Sequence, residues 1–132
     1  MKGLREKFRN KKGFTLVEML IVVAIIAILI VVSVPLIGSS LDKAREAVDA
    51  ANERSATGLA TIYYLTSENA GDNFDTGVTK YYAIDADSKQ GTLVDDEPTS
   101  GYGQSKEHKG EVIKVVIKTP TDTNDGITLT WE

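Results

Sequence analysis

Three places in the sequence carry side chains whose types and spacing could do chemistry. The first is Glu18, a carboxylate inside an otherwise apolar stretch that runs from Phe14 to Val34 and is broken only by Thr15, Glu18 and Ser33. Ionisable groups in such segments are costly to desolvate and are retained where they do something. The second is the turn Asp122, Asn124, Asp125, whose oxygens would suit a hard cation such as calcium. The same residues are ordinary turn formers, and their spacing does not complete an EF-hand loop. The third is His108, the single histidine in a chain without cysteine. With no cysteine there is no disulfide, thiolate metal site or sulfur nucleophile. His108 also has no evident catalytic partner, so no catalytic residue and no cofactor is expected, and the chain reads as something other than an enzyme.

The elements that would position these groups follow from the pattern of charge and hydropathy. Residues 1–13 hold six basic side chains, Lys2, Arg5, Lys7, Arg9, Lys11 and Lys12, against Glu6 alone, while the whole chain carries a net charge of −4. The part after the leader is therefore acidic, which argues against nucleic acid as a main partner, because that binding rests on Lys and Arg neutralising phosphates. Residues 14–34 have membrane length, roughly 30 Å as a helix. The basic leader places residues 1–13 in the cytoplasm and everything after about Val34 on the far side. An ordinary secretory signal does not fit: the apolar stretch is too long, no A-x-A-like site follows, and a carboxylate lies inside it.

After Pro35 the pattern becomes that of an amphipathic helix over 35–68. Ile37, Leu41, Ala44, Val48, Ala51, Ser55, Leu59, Ile62 and Leu65 form one apolar or small stripe, and Asp42, Lys43, Arg45, Glu46, Asp49, Asn52, Glu53 and Arg54 occupy the rest. That reads as one packed side and one solvated side. Asn69, Ala70 and Gly71 offer a stop. Alternation predicts strands at Lys80 to Ile84, Glu111 to Lys118 and Ile127 to Trp131, with a weak one near Thr92 and mostly loop from Asp85 to Gly110. A sheet this small needs cover, so residues 41–65 are expected to lie across one of its faces. The fold class is then α+β: a long protruding N-terminal helix whose second half packs on a small antiparallel sheet within 69–132.

The segment Lys11-Lys12-Gly13-Phe14-Thr15-Leu16-Val17-Glu18 resembles the processing site of type IV pilins and the related pseudopilins, and Pro35 fits the family's interrupted first helix. The likeness covers roughly residues 8–40. It implies that a membrane-bound prepilin peptidase cuts between Gly13 and Phe14 and methylates the new amine of Phe14. It also implies that Glu18 pairs with the Phe14 amine of an adjacent subunit during assembly. Pro35, which lacks an amide hydrogen, and Gly38 would break the helix locally, either as a kink or as a kink that melts when subunits pack. Calcium near the C-terminal end is known among pseudopilins, which bears on Asp122, Asn124 and Asp125. The implied function is a structural subunit of a type IV pilus, anchored once in the membrane with its C-terminal domain outside the cytoplasm and then part of a surface filament. The partners would be the peptidase, identical subunits in a helical filament, the inner-membrane assembly machinery and, before assembly, lipid. A pseudopilin of a type II secretion or competence DNA-uptake machine shares the N-terminal physics. A membrane-anchored binding domain that never polymerises is the alternative of another class.

Overall fold

The computed structural model describes residues 15–67 and 71–132. They form helix α1 (Leu16–Ser67) and strands β1 (Val78–Ile84), β2 (Gly91–Val94), β3 (Ile113–Ile117) and β4 (Ile127–Trp131). The chain divides into two compact units, one ending at Ser40 and the other running from Leu41 to Glu132. The four strands make one antiparallel sheet in the order β2-β1-β3-β4. One long N-terminal helix followed by a small antiparallel sheet is the α+β architecture expected from the pattern. Asn69 and Ala70 lie outside the described residues, while Gly71 adopts φ +88°, a left-handed conformation that glycine reaches at little cost.

Alternation decides which face of the sheet is covered. Ile113, Val115 and Ile117 have no solvent exposure and point to the side facing the helix. The register brings Tyr82 opposite Ile113 and Ile113 opposite Trp131, so one face collects Tyr82, the three β3 residues, and Ile127, Leu129 and Trp131 from β4. Ala56 and Ala60 of α1 close on this face with no exposure, joined by Phe74 and edged by Leu59, Tyr63 and Tyr64. Tyr64 meets Phe74 edge-to-face at 4.9 Å between ring centroids. Lys80 shares the covered face. Its ammonium ion-pairs with Asp95 and lies 4.8 Å from the centre of the Tyr63 ring. The bond to Asp95 and the nearby Tyr63 hold its pKa above the usual lysine value against the opposing effect of burial.

The apolar stripe read from the sequence is not the side of α1 that meets the sheet. Of its residues from Leu41 on, Leu41, Ala44, Val48, Ala51, Ser55, Ile62 and Leu65 are exposed, and only Leu59 is half-buried. The sheet side carries Asp49, Glu53, Ala56, Ala60 and Tyr63 instead. Two physical reasons account for this. Alanines at 56 and 60 let the helix come close to the branched side chains of β3. The polar residues of that face find partners far away in sequence. Trp131 Nε1 donates to Glu53 Oε1 at 2.8 Å, and the Gln104 and Ser105 amides donate to the two oxygens of Asp49 at 2.8 and 2.7 Å. Asp49 is 3% exposed. Burial raises its pKa, but the Ser105 side chain and the two amides outweigh this and leave the carboxyl below its ordinary value.

Those bonds fasten the loop of residues 101–111 onto the helix. Tyr102, in this loop, donates its hydroxyl to the Tyr82 carbonyl and accepts the Ile113 amide, both at 2.8 Å. Burial pushes its pKa up to about 12. Lys106 pairs with Asp42 at 2.6 Å on the exposed rim. The loop folds back on itself so tightly that a Cβ on Gly103 would lie 1.7 Å from the His108 carbonyl oxygen, and one on Gly101 1.6 Å from that of Gly110. Backbone atoms cannot yield as a flexible side chain can. Gly103→Ala is therefore expected to destabilise the Leu41–Glu132 unit by at least about 2 kcal/mol, as overpacking against a rigid neighbour does. A thermal melt of the purified chain in detergent, unchanged by the substitution, would refute this packing.

Candidate functional site

The first described residues build the start of α1. Thr15 lies just before the helix and Glu18 three positions on, and the two exchange bonds. The Thr15 amide donates to Glu18 Oε2 at 2.9 Å, and the Glu18 amide donates to Thr15 Oγ1 at 3.2 Å. This is a reciprocal capping box, which satisfies amides that the helix itself leaves without acceptors and places a negative charge where the helix dipole favours one. The signal for it, Thr-x-x-Glu before an apolar run, is present in the sequence, yet sequence reasoning assigns Glu18 only an intersubunit role and Thr15 none. Gly13 and Phe14 lie outside the described residues.

From Leu16 to Ile37 the helix presents apolar side chains on every side. Leu16 is 81% and Val31 74% exposed, and none of the most apolar window, of mean hydropathy 3.4, is buried. Among the described residues α1 is the one helix long and apolar enough to cross a membrane. The hydroxyl of Ser33 donates to the Leu29 carbonyl at 2.6 Å and that of Ser39 to the Leu36 carbonyl at 3.1 Å, so neither leaves a bare polar group on this surface. Pro35 and Gly38 both lie within α1, which is helical through them, and a Cβ added to Gly38 would meet nothing within 4 Å.

The other two candidates are placed as follows. Asn124 and Asp125 use side-chain oxygens on their own turn: Asn124 Oδ1 accepts the Gly126 amide at 2.8 Å and Asp125 Oδ1 the Ile127 amide at 3.3 Å. Asp122 lines an open hollow with them. Among the described residues no group of three or more His, Cys, Asp or Glu side chains is placed to hold a metal ion. His108 is half-buried, its ring stacked on Trp131 with centroids 4.6 Å apart and its Nδ1 3.1 Å from Glu111 Oε2. It belongs to the loop that Asp49 fastens.

A capped apolar helix followed by a small antiparallel sheet matches a type IV pilin-like α+β fold. Comparison with known families agrees: residues 8–34 match the prokaryotic N-terminal methylation motif, a span that holds Gly13, Phe14, Glu18 and the whole apolar run to Val34. The chain is also similar to the type IV wide pilus major component PilA4 of Thermus thermophilus, at 38% identity over 65 residues, which is 49% of this chain and 50% of that protein. It thus spans about half the length of the curated relative it matches. No solved structure matches it. The resemblance to type IV pilins is borne out by both findings.

Proposed function

We propose that the chain is a structural, non-enzymatic subunit of a type IV pilus. A prepilin peptidase cuts between Gly13 and Phe14 and methylates the exposed amine, and the remaining chain stays in the membrane through residues 14–34 with 35–132 outside the cytoplasm. The inner-membrane assembly machinery then draws it from lipid into a helical filament of identical subunits, held by bundled apolar helices. The observation that carries this reading is that the methylation motif runs through a helix whose apolar side chains, among the described residues, stay exposed. Soluble proteins rarely expose apolar patches beyond a few hundred Å², and a surface of this kind requires lipid or a partner.

In this reading Glu18 has two successive partners. In the subunit by itself it caps α1, and in the filament it turns to the Phe14 amine of a neighbour, a charge-assisted pairing that sets the axial offset between subunits. Pro35 and Gly38 give the helix a weak point that can open as subunits pack.

Cleavage provides the first test. Because the peptidase must accept the backbone at Gly13 in a narrow site, Gly13→Val is expected to leave a membrane-bound precursor that keeps Met1 to Gly13, while the unaltered chain yields Phe14 as its first residue. N-terminal sequencing reads both. A wild-type chain that retains its leader, or begins beyond Gly38, refutes the proposal.

A further inference from the structure

The unit Leu41–Glu132 holds nine basic side chains against seventeen acidic ones, yet three of the nine line a single hollow of about 470 Å³. Arg45 comes from α1, Lys106 and Lys109 come from the loop of residues 101–111, and no carboxylate is part of the lining. Asp42 gathers two of the cations, at 3.8 Å from Arg45 Nη1 and 2.6 Å from Lys106 Nζ, while Lys109 has no ion-pair partner among the described residues. One carboxylate against three cations leaves positive charge in excess. We infer that this hollow is a site for a phosphate group, and that its ligand is the headgroup of an anionic phospholipid in the membrane that holds the unassembled chain.

The walls are in place before any ligand arrives. Asp49 accepts the amides of Gln104 and Ser105 at 2.8 and 2.7 Å, and the Gly110 amide donates to the Gly103 carbonyl at 3.1 Å. The loop that carries two of the cations is thus fastened to the helix that carries the third, and little ordering remains to be done on binding. Charge density selects the ligand. Duplex nucleic acid carries a charge about every 1.7 Å and would be repelled by the acidic remainder of the unit, whereas a headgroup brings one phosphate to one hollow. The inference rests on the reading in which residues 14–34 lie in the bilayer. Arg45 then follows the end of the span by eleven residues, about 16 Å of helical chain, and this tether keeps headgroups at high effective concentration around the hollow. Each cation near an anionic membrane surface favours binding by about fivefold. Drawing a subunit out of an anionic membrane therefore includes breaking this contact.

The absence of native cysteine permits a direct test. Gln104→Cys places a reporter in the wall of the hollow, and Thr130→Cys on the open face of the sheet is the reference. The full chain is reconstituted in nanodiscs of phosphatidylcholine alone or of an equal mixture with phosphatidylglycerol, and labelled with an uncharged maleimide. The reporter at 104 is expected to label at least about tenfold more slowly with phosphatidylglycerol present, and the reference equally fast in both. Adding Arg45→Gln and Lys109→Gln, both at exposed positions, is expected to abolish the difference while leaving the melting temperature unchanged. Equal labelling at 104 in the two lipids overturns the inference. Protection that survives the two substitutions overturns it as well, because lipid then covers the loop without the cations. Equal protection by millimolar inorganic phosphate or a short oligonucleotide in phosphatidylcholine nanodiscs overturns the assignment to lipid. A chain that does not insert in either bilayer overturns the anchored reading, and this inference with it.

Discussion

A Glu18→Ala subunit is expected to be cleaved normally, to remain in the membrane, and to form no fibres. The carboxylate has two roles in the account, and they differ in size. Loss of a helix cap costs about 1 kcal/mol, too little to unmake a helix that continues for many turns in lipid. Loss of a charge partner in a low-dielectric interface costs several times that, because the Phe14 amine of the neighbour is then buried without a counter-charge. Glu18→Gln separates the two. Glutamine serves in a capping box as glutamate does, so the Thr15 bonds seen here survive while the charge is lost. The account expects Glu18→Gln to fail in assembly like Glu18→Ala, with cleavage unaffected in both, as read by fibre counts in electron micrographs and the mass of the membrane pool. Full assembly of Glu18→Gln would mean that the cap is the whole role of this residue.

The second large effect is at Asp49. Asp49→Ala strips acceptors from the Gln104 and Ser105 amides, the latter on a buried residue, and is expected to destabilise the Leu41–Glu132 unit by on the order of 3 kcal/mol. The sign of the pH dependence follows from the direction of the shift. Because the folded carboxyl lies below its unfolded value, the bonds contribute fully above about pH 4 and are lost as pH falls through the lowered folded value. Wild type should therefore lose stability on acidification more than Asp49→Ala does. Denaturant melts of both chains at neutral and acid pH check this, and parallel losses would exclude Asp49 as the source.

The sheet was legible in the sequence because period-two alternation survives even in short strands: Ile113, Val115 and Ile117 are buried together, and Ile127, Leu129 and Trp131 share their face. The four-residue strand β2, expected only as a weak strand near Thr92, is too short to show a period. The helix was harder to orient. A 3–4 stripe says that a face is apolar, not what covers it, and α1 has two faces suited to packing. Which one meets the sheet is decided by Ala56 and Ala60, and by partners of Asp49 and Glu53 more than fifty residues away, which no local window contains. At the functional end, the leader, the apolar run and Glu18 are contiguous in sequence, so they were plain from the residues alone. The reciprocal bonds between Thr15 and Glu18 are equally local, written as Thr-x-x-Glu before an apolar run.

The central claim is that this chain forms fibres after losing residues 1–13. It is tested most directly by shearing cells that express it, imaging the released material and sequencing the N-terminus of its main protein by mass spectrometry. The account predicts long thin fibres whose principal subunit is this chain, beginning at a methylated Phe14. Sheared fibres that lack the chain, or a cell-bound chain still carrying Met1 to Gly13, would contradict it.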